Sequence, residues 1–382
     1  MAGSVLVWVQ HLLGSGHLRR ALSLAESLAG TGLATTVASG GLPMPWPAPP
    51  GVDLVQLPPM RAADQRIARP VDERGDEPSE SLWAFRATLL RRLVDRLQPQ
   101  VVVTEMYPFG RRAFRHEVLG LLDHAAALPA PPLVVCSVRD VLVDKVRADR
   151  WAEMRDIAVE RYDLVLVHGD PGLFPFARTF PHAAAIADRL VHTGFVLAAL
   201  PVPIEAWRGA VVVSAGGGAV GRRLIDTALA ARPLSRLADR PWLLIGGANM
   251  PEEDLRAIRD SLPPGATLER HRDDLPGLIA AAEVSVSQAG YNTVAEGLAG
   301  AARMVLVPFD AGGQDEQRLR AGRLAELGLA ALVTSDRLDP ATLAAAIDET
   351  ASRPRPQPST LSFDGGRRAA EAILERLARH GA

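Results

Sequence analysis

Residues 284–296 read Val284-Ser285-Val286-Ser287-Gln288-Ala289-Gly290-Tyr291-Asn292-Thr293-Val294-Ala295-Glu296. A short strand runs Val284 to Ser287, Gly290 permits a tight turn, and a helix follows with Asn292 or Thr293 as its candidate cap. Strand, glycine turn and helix in so few residues is the repeating unit of a parallel α/β sheet. The same unit makes a place for an anion. Amide groups at a helix start suit a diphosphate, and Glu296, one helical turn further in, can accept hydrogen bonds from ribose hydroxyls. A second polar loop follows the next strand, with Pro308-Phe309-Asp310 and then Gln314-Asp315-Glu316-Gln317. Carboxylates and amides there suit sugar hydroxyls, which both donate and accept. Alone, that loop reads as polar surface.

The unit recurs along the chain. Ala210 to Val213 leads into Ser214-Ala215-Gly216-Gly217-Gly218, then a helical pattern runs to about Ala231. Further strands are expected at Trp242–Ile245, Thr267–Arg270 and Met304–Val307. The first half opens on Ser4-Val5-Leu6-Val7-Trp8-Val9, turns through Leu13-Gly14-Ser15-Gly16-His17, and places Leu18, Ala21, Leu22, Ala25 and Leu28 at helical spacing. Strands are expected at Leu33–Ala38, Val52–Leu57, Val101–Thr104, Leu133–Ser137 and Leu164–Val167, with helices over 81–97, 111–127 and 149–161. Strands alternating with helices imply parallel sheets covered on both faces. The expectation is two doubly wound Rossmann-like domains facing a cleft, 1–200 and 209–362. A last helix is expected in the segment 363–382, with a return to the first domain as one place for it.

Size agrees, since 382 residues exceed one ordinary core and fit two. A net charge of −2 excludes a general nucleic-acid binder, which carries a basic domain or stripe. Cys136 is the single cysteine and sits in an apolar run, so a disulfide framework is excluded and a buried structural thiol is expected. No stretch reaches the roughly 18 apolar residues of a membrane span, and Met1 to Val9 lacks a basic leader, so a cytoplasmic protein is expected. There is no Asp-x-Asp pair and no Cys/His ligand cluster, so neither a metal nor a cofactor is expected. Lys145 is the only lysine, and such a bias lowers the weight of arginine richness as a signal. Seven arginines between Arg86 and Arg115, against Asp95 and Glu105, read as a solvated basic face. A meeting with anionic lipid is the alternative.

Three consecutive glycines at Gly216, Gly217 and Gly218 can turn several amides toward one point, which favours a diphosphate over an idle turn. Gly14, Ser15 and Gly16 let backbone approach a ligand, but the third glycine of a dinucleotide fingerprint is missing. His17 opens the first helix, and an imidazole near its ordinary pKa of about 6.5 suits proton transfer. Capping or orienting the loop is the alternative. Glu105 and Arg139-Asp140, at carboxyl ends of strands, could assist His17 or meet an acceptor, though ion-pair roles are commoner. His168-Gly169-Asp170-Pro171 reads as a turn, and Arg270-His271-Arg272 as an exposed basic turn.

Residues 284–322 resemble the donor-binding half of GT-B glycosyltransferases of the lipid-II-forming N-acetylglucosaminyltransferase type, the family 28 C-terminal domain. The likeness is fair over 4–32 and vague between about 40 and 200. It implies a donor site on Thr293 near the diphosphate, Glu296 at the ribose, and Glu316 and Gln317 at the donor sugar, with Gly290 and Asn292 in the turn. It makes His17 a candidate general base. The implied reaction is inverting and metal-independent, moving a sugar from a nucleotide-diphosphate sugar, most simply a UDP-sugar, to an acceptor hydroxyl. The acceptor is open, a lipid-linked one and a peripheral contact at the inner face of the membrane included. The Gly14–His17 loop equally resembles that of a nucleotide-sugar hydrolase of pseudaminic acid synthesis. A hydrolase using water and a non-catalytic nucleotide-sugar-binding protein therefore remain the alternatives.

Overall fold

Along β1 (Ser4–Val9), Val5, Val7 and Val9 enter one apolar cluster while Leu6 and Trp8 enter another. A strand whose alternate side chains are both buried lies inside a sheet covered on two faces. In this computed structural model, which describes residues 3–12, 14–63, 69–142, 147–216, 221–309, 315–357 and 360–380, the chain divides into two compact units. One comprises Met1–Ala198 with Ser362–Ala382, the other Ala199–Leu361.

The first unit runs β1, α1 (Gly16–Ala29), β2 (Ala34–Ser39), β3 (Val52–Gln56), β4 (Met60–Ala62), β5 (Pro70–Asp72), α2 (Glu80–Leu97), β6 (Val101–Glu105), α3 (Arg115–Ala126), β7 (Leu133–Arg139), α4 (Ala148–Arg161), β8 (Leu164–His168) and β9 (Leu190–His192). The parallel sheet has the order β3-β2-β1-β6-β7-β8-β9, and β4 pairs with β5 as a separate antiparallel hairpin. Leu18, Leu22 and Leu28 of α1 join the cluster of Val5, Val7 and Val9, whereas Leu90 and Val94 of α2 and Val118 and Leu122 of α3 join that of Leu6 and Trp8.

The second unit runs β10 (Val211–Ser214), α5 (Arg222–Ala231), β11 (Trp242–Ile245), α6 (Glu252–Asp260), β12 (Ala266–Glu269), α7 (Leu275–Ala281), β13 (Val284–Ser287), α8 (Tyr291–Ala299), β14 (Met304–Leu306), α9 (Glu316–Glu326), β15 (Ala331–Leu332) and α10 (Pro340–Ser352). Its parallel sheet has the order β12-β11-β10-β13-β14-β15. The final helix, α11 (Gly365–His380), belongs to the first unit, where Ala369, Ala370 and Ile373 join the cluster beneath α1. Phe195 N donates to Ser362 O at 2.8 Å, and Gly365 packs so closely on the Gly194 and Phe195 carbonyls that a Cβ there would collide.

The sheet order decides where ligands go. In each sheet the connection reverses direction once, between β1 and β6 and between β10 and β13. Open α/β sheets bind ligands at the carboxyl ends of the strands beside such a reversal. Beside these reversals lie Gln10–Leu12, Gly14–His17 and Glu105 in one unit, and Ser214–Gly216 with Ser287–Gly290 in the other.

Candidate functional site

In the first unit the reversal gathers side chains from separate strands. Ser15 precedes α1 without a side-chain cap, Gly14 and Ser15 form the turn, and Gly16 begins the helix. His17 thus stands in its first turn, its side chain 15 % exposed, with Nδ1 3.0 Å from Oε1 of the buried Glu105 that ends β6. Arg20, one helical turn on and itself buried, pairs with the same carboxylate. Nδ1 is met at 3.0 Å by the Glu105 carboxylate, which only accepts, and at 3.2 Å by Arg20 Nη2, which only donates. The shorter contact, to the anion, puts the proton on Nδ1, and Arg20 spends its own donor on the carboxylate they share. Nε2 is then left as the acceptor. Burial pushes His17 well below its ordinary pKa, and the guanidinium groups of Arg111, Arg20 and Arg139 push the same way. The ring is therefore neutral at pH 7, which corrects the expectation of an unperturbed histidine. His11 is lowered by burial too, and its Nε2 donates to Leu42 O at 3.0 Å.

Behind Glu105 the strand ends continue the pattern. Ser137 of β7 donates to Glu105 Oε2 at 2.5 Å and lies 2.9 Å from His168 Nε2. His168 is the last residue of β8 and fully buried, not part of a turn, because the turn begins at Gly169. A Cβ at Gly169 would stand 2.6 Å from Asp140 Cβ, so this glycine lets the strand end close onto its neighbour. Burial holds the His168 pKa down to about 3, with Arg20 also lowering it. Cys136 is fully buried in β7 and burial raises its thiol well above the usual range, an inert packing residue.

Arg86 is no part of a basic surface face. It is fully buried and donates from Nε to Glu117 Oε2 at 2.7 Å and from Nη2 to Gln10 Oε1 at 2.9 Å. Its Nη1 reaches Gly40 O at 3.2 Å, so one guanidinium ties the ends of β1 and β2 to α3. Gln10 O in turn accepts from Arg111 Nε at 2.6 Å, which anchors the loop after β6 beside the same reversal.

In the second unit Ser214 and Ser287 are register partners at the ends of β10 and β13. Gly216 has φ +70°, and a Cβ there would meet Gln288 Oε1 at 3.3 Å, so these two loops touch. Gly217 and Gly218 lie outside the described residues. Gly290 is the N-cap of α8 and no side chain caps it, so Asn292 and Thr293 stand inside the first turn and are not caps. The Gly290 backbone is extended, and the helix begins directly at Tyr291, which displaces the cap position upstream of both polar residues. Tyr291, Val294, Ala295 and Leu298 are buried, while Asn292, Thr293 and Glu296 share the opposite, half-exposed face at helical spacing. Main-chain donors of the first turn and a carboxylate one turn on therefore lie beside the β10–β13 reversal.

α9 holds this turn in place. Gln317 Oε1 accepts from Ala289 N at 3.1 Å and from Phe309 N at 3.0 Å, joining the loops after β13 and β14. Glu316 pairs at 2.8 Å with Arg320, a buried residue whose Nη1 donates to Ala289 O at 2.9 Å. Sequence reasoning missed Arg320, although Glu316 and Arg320 stand at the i, i+4 spacing of a helical ion pair. Arg270 and Arg272 are taken up by Glu252 and by Asp274 and Glu269, leaving an exposed ion-paired turn. Among the described residues no group of His, Cys, Asp and Glu is arranged to hold a metal ion. No helix among them is long and apolar enough to cross a membrane.

This architecture is that of the GT-B glycosyltransferases, two Rossmann-like domains in one chain. The calicheamicin glycosyltransferase CalG4 superposes with a TM-score of 0.58 at 19 % identity, covering 99 % of this chain and 96 % of that one. MurG of Acinetobacter baumannii gives 0.56 at 14 %, covering 99 % of each. Residues 211–371 match the family model described as glycosyltransferase family 28 C-terminal domain. UDP-N-acetylglucosamine--N-acetylmuramyl-(pentapeptide) pyrophosphoryl-undecaprenol N-acetylglucosamine transferase of Rhodopseudomonas palustris is 30 % identical over 181 residues. The protein of that name from Paramagnetospirillum magneticum is 30 % identical over 180 residues. Each alignment covers 44 % of this chain and 48 % of the relative, so the chain spans about half the length of the curated relatives it matches.

Proposed function

We propose that the protein is a glycosyltransferase that moves a sugar from a nucleotide-diphosphate donor, a UDP-sugar, to an acceptor hydroxyl with inversion and without a metal ion. The observation that carries this reading is His17 at the start of α1 with Nδ1 3.0 Å from the buried Glu105 carboxylate, in a chain whose residues 211–371 match the family 28 C-terminal domain. His17 Nε2 takes the proton of the acceptor hydroxyl as that oxygen attacks the anomeric carbon, and Glu105 stabilises the imidazolium so formed. The bond from the anomeric carbon to the diphosphate breaks, and the nucleotide diphosphate leaves. Its charge meets main-chain donors at Gly216, at the Gly290 turn and in the first turn of α8, which are fixed before the reaction begins. Asn292 and Thr293 adjoin the diphosphate and Glu296 holds the ribose. Glu316 and Gln317 act at the donor by holding the Gly290 turn through Arg320 and directly.

The names of the curated relatives include a pyrophosphoryl-undecaprenol acceptor, while CalG4 is named for calicheamicin. The acceptor panel therefore includes polyprenyl-diphosphate sugars and soluble hydroxylic compounds. The test is calorimetry with UDP, GDP, dTDP and their sugars, followed by nucleotide release with and without each acceptor. UDP-sugar binding with acceptor-dependent UDP release is expected. Rapid release of free sugar without acceptor would make the protein a hydrolase. Binding with no turnover across the panel would make it a non-catalytic binding protein.

A further inference from the structure

Glu105 is held from two sides, and the second side has no part in the reading above. Its Oε2 accepts from Ser137 Oγ at 2.5 Å, and because a carboxylate only accepts, the single Ser137 proton is committed there. Ser137 Oγ must then accept at its other contact, 2.9 Å from His168 Nε2, which places the His168 proton on Nε2. His168 Nδ1 is left as an acceptor, and the Thr193 hydroxyl lies 2.8 Å away. Of the acceptors within reach of that hydroxyl this is the nearest, since Gly194 O lies at 3.0 Å and Val167 O at 3.4 Å. The result is a chain of hydrogen bonds with one direction, from Thr193 through His168 and Ser137 to Glu105. Ser137, Glu105, His168 and Thr193 are all fully or almost fully buried, so water does not compete for these contacts.

We propose that Ser137, His168 and Thr193 are positioning residues that hold the Glu105 carboxylate by its Oε2, so that Oε1 stays on His17 and keeps that ring's proton on Nδ1, leaving Nε2 to face the acceptor substrate. Three neighbouring strand ends, β6, β7 and β8, and the residue following β9 each supply one member. A residue that merely filled space at Ser137 or His168 would not need a hydroxyl or an imidazole, and an apolar side chain of similar size would avoid burying polar groups. The inference deepens the role assigned to His17 and rests on it only for its catalytic consequence. The charged and titratable groups around His17 are Glu105 on β6, Arg20 on α1, Arg111 after β6, Arg139 on β7 and His11 after β1.

The test reads the imidazoles themselves. Long-range proton–nitrogen NMR spectra of the full chain, with His17→Gln and His168→Gln used for assignment, report which nitrogen of each ring is protonated. The wild type should show His17 protonated on Nδ1 and His168 on Nε2. Ser137→Ala removes a donor from Glu105, concentrates charge on the carboxylate, and should raise the titration midpoint of His17 and move its acid limb in nucleotide release the same way. Ser137→Thr keeps the hydroxyl and should restore both. A wild-type His17 protonated on Nε2 overturns the proposal even if the alanine variant does not fold. So does a folded Ser137→Ala protein with the wild-type tautomer and midpoint. These spectra need no substrate, so a chain that proves inactive as a transferase would sink the functional reading and leave this one to be decided separately.

Discussion

Replacing Gln317 by leucine removes one acceptor and strands two donors. The side-chain volume hardly changes, so the loss is mainly that of the bonds from Ala289 N at 3.1 Å and Phe309 N at 3.0 Å. Ala289 is fully buried, and an orphaned buried amide costs about 1–3 kcal/mol; Phe309 is only half-buried, which places its share toward the low end. The sum is about 2–4 kcal/mol. For a unit the size of residues 199–361, each kcal/mol lowers the melting temperature by about 2–4 °C, so the variant should melt ~4–16 °C earlier. Thermal unfolding of the full chain followed by near-ultraviolet circular dichroism reads this. Gln317→Glu keeps the acceptor and should recover most of the loss. Affinity for UDP should fall in the leucine variant and return in the glutamate variant, because the Gly290 turn is held or released with it. A leucine variant that melts with the wild type and binds UDP equally well would refute the claim that Gln317 holds the turn.

Glu296→Ala should weaken UDP-sugar binding by about 1–3 kcal/mol in calorimetry, the loss of a hydrogen-bonding carboxylate at the ribose, and unchanged affinity would remove that assignment. Arg86→Met leaves Glu117 buried without its cation and should destabilise the first unit by about 3–5 kcal/mol in urea unfolding, whereas replacing Arg86 and Glu117 together by apolar residues should recover much of it. His168, with its folded pKa at about 3 and an unfolded value of about 6.5, gives stability that is complete above pH 6.5 and lost as the pH falls toward 3, because the unfolded chain binds the proton first. That loss reaches about 4 kcal/mol at pH 3, and His168→Gln should flatten the stability–pH curve across this window.

Much of this fold was legible because its central strands are buried on both faces and read as unbroken apolar runs, Val101–Thr104 and Leu164–Val167 among them. The hairpin of β4 and β5, and the short strands β9 and β15, have two or three residues each and carry no periodicity to read. The strand-end glycines and His17 were visible because turn chemistry is local. Partnership was not. Glu105 was noted as a possible aid to His17, but that it meets Ser137 and His168 depends on β6, β7 and β8 lying side by side, and sheet order is a property of the whole chain. Arg86 misled for the same reason. Among surface arginines in the sequence it looks like one more, and only α2 packing against α3 puts it beside Glu117.

The account turns on whether His17 is the group that takes the acceptor proton. The most direct measurement is acceptor-dependent UDP release at saturating UDP-sugar by the wild type and by His17→Gln, with donor affinity measured in both. A kcat at least about 100-fold lower in the variant, with donor affinity unchanged, is the expected result for loss of a general base. Turnover by the variant at the wild-type rate would contradict it.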